Sequence, residues 1–401
     1  MKYDFDQFVE RRGTNSAKWD SVERVFGEED LLPMWVADSD WPTAPAVVRA
    51  IKERAQHGIF GYTFPGDELR EVVTDWLKER HDWEVDPDWI SFNDGVVPSL
   101  SVAIETVARS GDGVVIQPPV YYPFFSAIRK NGAQVVENPL REGAGRYEMD
   151  FRDLERTIDE RGERGREGEV RALVLCSPHN PVGRVWKEGE LKRLGQICGE
   201  REVVVIADEI HSDIVYPEGD HLPFPAISGE FEDNSITLFA PSKTFNIAGL
   251  PASVTVIPDP RLRKRFLSRT GKRVNGPSIF GMEAMRAAYE EGQGWLEEQL
   301  AYLADNRDFA LSFLEDLPQV RGFKPEGTYL LWIDFRPLGL DPDELRTLIE
   351  KEARVALDPG QWFGQGGTGF MRLNMACPRS TLREGLERIG NAVEKYLNSL
   401  S

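Results

Sequence analysis

Short apolar runs alternate with amphipathic, helix-length stretches through the middle of the chain. Six runs rich in Val, Ile, Leu and Ala lie at residues 114–117, 134–137, 172–177, 203–208, 236–240 and 253–257. Runs that are apolar at nearly every position are typical of strands buried on both faces, and helix-length spacers favour parallel crossover connections. The pattern therefore predicts an α/β large domain, with a mostly parallel sheet sandwiched by helices.

The pattern changes near residue 285. Helices are predicted at 282–289, 295–317, 342–352 and 380–397, and strands at 329–334 and 370–375. We expect residues 46–285 to form the large domain, and residues 1–45 with 286–401 to form a smaller α+β domain. An Arg/Glu-rich stretch at 152–166 is interpreted as a helix followed by a solvated loop without a function.

The net charge of −19 narrows the range of partners. A strongly acidic protein repels polyanions, so we expect no nucleic-acid or anionic-membrane binding. The basic residues at 261–265 and 272–273 are interpreted as a solvated helix face. The polar, acidic start and the absence of a membrane-length apolar run favour a cytoplasmic protein.

Cysteine usage agrees with that compartment. The chain has three cysteines, Cys176, Cys198 and Cys377, without CxxC or cysteine–histidine spacing. An odd number without such spacing favours free thiols in a reducing compartment and no metal site.

Lys243 and Asp208 carry the strongest chemical signal. Lys243 follows the apolar run 236–240 in a Ser-Lys turn, and Asp208 ends the run 203–208. Burying a lysine cation is costly, so an amine in such a place has a lowered pKa or is covalently engaged. A Schiff-base lysine and a carboxylate for a pyridinium nitrogen are the two anchors that pyridoxal 5′-phosphate requires. The alternatives are a surface lysine and a helix N-cap aspartate.

Other polar residues follow the same strand ends, where ligands of such sheets bind. Asn180, in the Pro/Gly turn 177–183, is a candidate donor to the phenolic oxygen of the cofactor, unless the segment is a generic turn. His211 either reaches the same oxygen or is a satisfied histidine near a helix start. Ser242 is a candidate ligand of the cofactor phosphate.

Two glycine- or aromatic-rich segments add weaker signals. Gly95, Val96 and Val97 open a predicted helix whose first N–H groups would face a phosphate, or form a tight turn. Tyr121 stacks on the cofactor ring or belongs to the core, and Tyr62 is a similar aromatic residue in an exposed turn.

Arg372 lies in the predicted strand 370–375, and its fork geometry suits a bidentate grip on a substrate carboxylate. Its alternative is a structural surface ion pair. Residues 364–369 formally satisfy the dinucleotide fingerprint GxGxxG, but a strand rather than a helix is predicted to follow. We therefore reject a nicotinamide or flavin site.

Together these residues resemble the fold-type I pyridoxal-phosphate enzymes of the aminotransferase class I/II superfamily, over essentially the whole chain. Segments 32–40, 119–124, 208–211 and 242–250 are similar to the cystathionine β-lyase, or cysteine-S-conjugate β-lyase, subfamily of MalY/PatB type. His211 and Pro251 depart from the aminotransferase pattern, which usually has a tyrosine and a phosphate-binding arginine there.

The resemblance implies a carbon–sulfur β-lyase that converts a small sulfur amino acid to a thiol, pyruvate and ammonia. Lys243 would hold the cofactor covalently and act as the base at Cα, with the substrate carboxylate at Ala37, Asn180 and Arg372. It also implies a homodimer in which Tyr62 reaches the cofactor of the other subunit. An aminotransferase is the alternative on the same fold, and a pyridoxal-phosphate-binding regulatory protein is a third.

Overall fold

The computed structural model describes residues 2–143, 145–161, 168–273 and 276–400. The strands are β1 (Leu32–Pro33), β2 (Ile90–Asn93), β3 (Gly113–Ile116), β4 (Gln134–Glu137), β5 (Arg141–Glu142), β6 (Tyr147–Glu148), β7 (Val170–Cys176), β8 (Val204–Asp208), β9 (Ser235–Phe239), β10 (Ser253–Val256), β11 (Arg321–Phe323), β12 (Leu330–Asp334), β13 (Val355–Ala356), β14 (Asp358–Pro359) and β15 (Phe370–Asn374).

The α-helices are α1 (Ala17–Asp20), α2 (Val22–Phe26), α3 (Pro45–His57), α4 (Asp67–His81), α5 (Val96–Val107), α6 (Pro123–Lys130), α7 (Phe151–Glu160), α8 (Glu188–Glu200), α9 (Gly229–Asp233), α10 (Pro241–Thr244), α11 (Pro260–Arg273), α12 (Ile279–Glu291), α13 (Gln293–Glu315), α14 (Pro342–Thr347) and α15 (Arg379–Leu400). Short 3-10 turns lie at Pro87–Trp89, Phe224–Ile227, Arg336–Leu338 and Gly360–Phe363, and a π-helical segment at Leu348–Glu352 continues α14.

A seven-stranded sheet in the order β2-β10-β9-β8-β7-β3-β4 forms the centre of the fold. The pairs from β9 through β4 are parallel, and β10 runs antiparallel to both of its neighbours. Asp208 pairs in register with Cys176 on one side and Leu238 on the other. The carboxyl ends of the central strands therefore lie at one edge of the sheet, where such folds bind ligands.

Alternate residues of the central strands pack into different hydrophobic clusters. Ile206 of β8 joins a cluster that includes α5 and α6, whereas its neighbours Val205 and Ala207 join a cluster that includes α8. Because successive side chains of a strand point to opposite faces, this division places helices on both faces of the sheet. The predicted α/β architecture is confirmed.

A smaller antiparallel sheet, β11-β12-β15-β14, lies in the C-terminal part of the chain. Its core contains Leu331 and Met371 from the sheet and the apolar face of α15, whose residues Leu382, Leu386 and Ile389 recur at helical spacing. The N-terminal β1 pairs with β13, and so joins this part of the chain. The domain boundaries at residues 45 and 285 stay a prediction.

The six predicted strands of the large sheet are all present, within two residues of the predicted bounds. The sequence did not predict β2 and β14, which are short, nor the π-helical continuation of α14. The helix predicted at the start of the stretch 152–166 is present as α7, and residues 162–166 of the predicted loop lie outside the described residues. No helix among the described residues has the length and apolarity needed to cross a membrane.

Candidate active site

A cavity of about 240 Å³ lies at the carboxyl ends of the central strands. Ten of the residues singled out from the sequence line it: Ala37, Gly95, Val96, Val97, Tyr121, Asn180, Asp208, His211, Ser242 and Lys243. Asp94, Cys176 and Pro251 are among its other lining residues. Segments that are far apart in the chain thus meet at one site, which is what the strand-end positions predicted.

Lys243 lies in α10, the short helix that follows β9. Its Nζ donates a hydrogen bond to the carbonyl oxygen of Ala37 at 2.7 Å. Burial lowers the Lys243 pKa to about 8, the positive charge of Arg372 acts in the same direction, and the carboxylates of Asp38 and Asp208 oppose it. A larger fraction of this amine is therefore neutral near physiological pH than in an exposed lysine, which favours its action as a nucleophile or base.

Asp208 ends β8 and is buried, with 4% of its surface exposed. One carboxylate oxygen accepts a hydrogen bond from the Ile210 N–H at 3.2 Å. Burial raises the Asp208 pKa to about 7, with repulsion from Glu209 acting in the same direction and the Ile210 hydrogen bond and Lys243 opposing it. A cationic N–H in the cavity would favour the ionised carboxylate.

His211 lines the cavity, and Tyr329 packs against it. Burial lowers the His211 pKa to about 3, so its imidazole is neutral, and its Nδ1 has no hydrogen-bond partner among the described residues. The Tyr329 ring lies edge-on to His211 with centroids 5.9 Å apart, and its hydroxyl donates to the Ala37 oxygen at 2.9 Å. The same carbonyl therefore holds Lys243 and Tyr329, a contact that no sequence pattern indicated.

The N-terminus of α5 also lines the cavity. Gly95 is the N-cap residue and Val96 begins the twelve-residue helix. The first N–H groups of a helix lack intrahelical partners, and the helix dipole favours an anion there. Ser242 lines the same cavity and adds a hydroxyl group. This set of donors suits a phosphate.

Arg372 lies on β15 and contacts Asn180, which lines the cavity. Its Nη1 donates to Asn180 Oδ1 at 3.0 Å, and its Nη2 donates to the Trp35 carbonyl oxygen at 2.9 Å and to the Asp358 carboxylate. The residue is 2% exposed, so its ion pair with Asp358 is buried and does not lie on the surface, as the structural alternative had assumed. Its Nε has no partner within the described part of the chain, which leaves a buried donor beside the cavity. The Asp358 contact was not foreseen, because nothing in the spacing of the sequence marks it.

Two predicted site residues are not among the residues that line the cavity of a single chain: Arg372, which contacts the lining residue Asn180, and Tyr62. Tyr62 lies on the surface, and Ile59, Phe60 and Phe64 beside it are also exposed. Its predicted contact with a second subunit stays a prediction.

A buried carboxylate supports the Lys243 turn from behind. Asp213 accepts hydrogen bonds from Thr244 Oγ1 at 2.8 Å and from Trp76 Nε1 at 3.2 Å, and its other contact is His81 Nε2 at 2.9 Å. Thr244 follows Lys243 directly, so this cluster ties the lysine turn to the loop after Asp208. No sequence pattern indicated this cluster, since its members lie far apart in the chain.

The donor set fits pyridoxal 5′-phosphate. The cavity combines a lysine amine, a buried carboxylate, the start of a helix and two buried polar atoms without partners among the described residues, His211 Nδ1 and Asp94 Oδ1. Within the described ranges, no group of three His, Cys, Asp or Glu side chains is placed to hold a metal ion. The lining residues therefore fit an organic group that carries a phosphate.

The sheet order, the smaller α+β unit and the lysine–aspartate pair at one strand-end cavity define the fold-type I architecture of pyridoxal-phosphate enzymes. The chain belongs to the aminotransferase class I and II family, whose sequence profile matches residues 34–389. The predicted resemblance is confirmed.

Among curated relatives, the chain is 45% identical to cystathionine beta-lyase PatB of Bacillus subtilis, over 97% of this chain and 99% of the relative. It is 34% identical to protein MalY of Escherichia coli, over 98% of this chain and 99% of MalY. Among solved structures, cystalysin from Treponema denticola, which contains a pyridoxal 5′-phosphate cofactor, superimposes with a TM-score of 0.93 at 37% identity, over 98% of this chain and 100% of cystalysin.

Proposed function

We propose that this protein is a pyridoxal-phosphate-dependent lyase that cleaves the carbon–sulfur bond at Cβ of cysteine-type amino acids, releasing a thiol, pyruvate and ammonia. The observation that carries the proposal is the shared cavity of Lys243 and Asp208, in which burial shifts the pKa values of both groups toward neutrality. The full-length similarity to a cystathionine beta-lyase supports the choice of reaction.

Different lining residues would contact different groups of the cofactor. Lys243 would hold it covalently, Asp208 would pair with the pyridine N–H, and the Tyr121 ring would cover its face. Asn180 and His211 would contact the phenolic oxygen, and Ser242 with the first turn of α5, from Gly95 to Val97, would hold the phosphate. When bound, the cofactor supplies an electron sink that stabilises negative charge at the substrate Cα.

The protein side chains then handle the substrate and its proton. Arg372, with Asn180, orients the substrate carboxylate, and the unpartnered Nε is one further donor. Lys243 Nζ accepts the Cα proton, for which a pKa near 8 is well matched to neutral pH. The thiolate leaves from Cβ, and addition of water to the rest of the substrate releases its three carbons as pyruvate and its amino group as ammonia.

The decisive assay measures pyruvate formed from cystathionine and other cysteine S-conjugates without any keto acid. The purified holoenzyme should be coloured and active, and Lys243→Ala should lose both the visible absorption of lysine-bound cofactor and the pyruvate signal. Lys264→Ala, which removes an exposed lysine of α11, is the matched control. A colourless, inert wild type would contradict the proposal, and turnover that requires a keto acid would identify an aminotransferase instead.

We also propose a homodimer with shared active sites. A single chain exposes Ile59, Phe60, Tyr62 and Phe64 within one short segment, with relative exposures of 67%, 55%, 111% and 82%. Contiguous exposed apolar residues of this size are typical of a protein–protein interface. In the dimer, Tyr62 would reach the cavity of the other subunit.

A further inference from the structure

Asp358 is the partner of Arg372 within the small sheet. The two residues stand directly opposite each other in the antiparallel pair of β14 and β15, so their side chains lie on the same face. Arg372 Nη2 donates to the Asp358 carboxylate, and the two side chains are 2% and 1% exposed, respectively. The backbone register therefore holds a buried carboxylate beside the guanidinium that we assign to the substrate carboxylate.

Both hydrogen atoms of Arg372 Nη2 are already used in this structure. One is donated to the Trp35 carbonyl oxygen at 2.9 Å and the other to Asp358. A guanidinium grips a carboxylate bidentately through Nη2 together with either Nε or Nη1, so each fork requires Nη2. A second carboxylate can complete such a fork only if Nη2 releases one of its present acceptors. Asp358 is the acceptor whose attraction can be switched off, because a carboxylate can take up a proton and a peptide carbonyl cannot.

The surroundings of Asp358 favour that proton. Burial raises the Asp358 pKa to about 6, although the positive charge of Arg372 opposes the shift. Its Oδ1 has no hydrogen-bond partner within the described ranges. Tyr121 and Tyr122 also interact with this ion pair, but burial raises the pKa of both hydroxyl groups, so they stay neutral. The charge of Asp358 is thus stabilised mainly by Arg372, the group that the substrate also needs.

We propose that Asp358 competes with the substrate carboxylate for Arg372 and so sets the pH dependence of amino-acid binding. This inference rests on the proposed function, in which Arg372 receives that carboxylate. Two carboxylates that share one buried guanidinium repel each other, so an anion binds best when Asp358 is protonated. The affinity therefore falls as pH rises through the Asp358 pKa of about 6. Asp358 is a positioning residue, since it acts on the substrate through Arg372.

The test measures binding apart from the reaction. The probe is β-(methylthio)propionate, which is S-methyl-L-cysteine without its amino group, titrated calorimetrically into the holoenzyme at pH 5 and pH 8. We expect Asp358→Asn to bind the probe about tenfold more tightly than wild type at pH 8, where only wild type carries the competing charge. At pH 5 the two proteins should bind it equally, because Asp358 is then protonated. Lys243, His211 and Tyr329 also interact with the charge of Arg372 but are common to both proteins, so the difference isolates Asp358.

Two further variants and an uncharged ligand serve as controls. Asp334→Asn removes another buried carboxylate of the same sheet, which pairs with Arg336 at 2.7 Å, and should bind the probe as wild type does at both pH values. Asp358→Ser removes the charge with a smaller side chain, so it replaces Asp358→Asn if the amide disturbs folding, with the same expected result. The alcohol analogue of the probe, which lacks the carboxylate, should bind equally to wild type and Asp358→Asn.

Two results would overturn the inference. The neutral variants bind the carboxylate as wild type does at pH 8, or they bind it less tightly, as they would if Asp358 only held Arg372 in place. The pyruvate assay decides the lyase proposal separately. An affinity that depends on pH through Asp358, without pyruvate release, supports the competition and contradicts the lyase function. Pyruvate release with an affinity that is independent of Asp358 contradicts the competition alone.

Discussion

Lys243 and Asp208 each stand in an environment that disfavours its own charge. Burial lowers the pKa of the lysine to about 8 and raises that of the aspartate to about 7. Such shifts reduce the stability of the protein without a ligand, because the unfolded chain solvates both charges fully. Opposite shifts within one cavity are the usual mark of an acid–base site, in which a bound group compensates for the buried charge.

Because folding without the cofactor buries the charge of Asp208, we predict that Asp208→Asn stabilises the cofactor-free protein. A carboxyl group whose pKa is raised on folding binds more protons in the folded state between its unfolded pKa and its folded pKa. The destabilising effect of Asp208 therefore grows as pH rises from 3.8 to about 7. We expect the variant to gain about 1–3 kcal/mol in free energy of unfolding at pH 8, and less at pH 5.

Urea unfolding of the apoprotein at the two pH values measures that gain. Asp233→Asn, at an exposed position, is the control and should show no such pH-dependent difference. The lyase activity of Asp208→Asn should fall sharply, since the pyridine nitrogen would lose its carboxylate. An apoprotein that is less stable at pH 8 than wild type would show that Asp208 has a structural rather than a functional role.

At the scale of the structural elements, short turns at the strand ends set the positions of the site residues. The turn after β7 carries Asn180 and closes at Gly183, whose φ is +72°. The Gly183 carbonyl oxygen accepts hydrogen bonds from the N–H groups of Glu326 and Gly327, at 2.7 and 3.0 Å. A Cβ at this position would lie 2.4 Å from that of Pro325. Only glycine satisfies both the backbone conformation and this close approach.

Gly183→Ala should therefore lower the free energy of unfolding by about 2–3 kcal/mol, through overpacking and backbone strain. Activity should fall as well, because Asn180 shifts with the turn. Gly189→Ala is the matched control, since nothing lies within 4 Å of its Cβ position and it lies in α8. That change should be neutral or stabilising by up to about 1 kcal/mol, because alanine is the better helix former. Equal thermal unfolding of the two variants would contradict this account of Gly183.

The α10 turn depends on the hydrogen bond from Thr244 to Asp213. Thr244→Val keeps the shape of the side chain but leaves a buried carboxylate oxygen with one donor fewer, at a cost of about 1–3 kcal/mol. We expect kcat to fall by about tenfold with a smaller change in KM, because the adjacent lysine moves relative to Cα. Thr244→Ser retains the hydroxyl and should restore most of kcat. If Thr244→Ser does not restore kcat, the methyl group of Thr244 and not its hydroxyl group positions the α10 turn.

At the scale of the whole molecule, the exposed segment around residues 59–64 predicts the oligomeric state. Phe64 is 82% exposed, and Phe64→Asp places a charge at the end of the apolar segment. In a dimer this charge would lose hydration at the interface, so we expect the variant to sediment as a monomer and to lose most activity if Tyr62 completes the partner site. Leu267→Asp, at an exposed leucine elsewhere, should keep the wild-type mass. A wild-type protein that sediments as a monomer would contradict the dimer.

The amino-acid sequence by itself determined the strands of the large sheet and the two residues at the centre of its chemistry, Lys243 and Asp208. Continuous Val/Ile/Leu runs specify buried parallel strands, because few other structures bury every side chain of a short segment. Lysine and aspartate directly after such runs stand out, because the cost of burying a charge is a local property of the chain. The start of α5 at Gly95 could also be predicted, because a helix start depends on a short stretch of sequence.

The tertiary structure alone decided which distant residues meet. The Ala37 carbonyl that holds Lys243 lies 206 positions away in the chain, and Asn180, which accepts from Arg372, lies 192 positions away. The Thr244–Asp213 contact likewise joins separate segments. Periodicity reports how each segment faces the core, but a hydrogen bond or ring contact depends on the three-dimensional packing of whole elements, which no local pattern encodes.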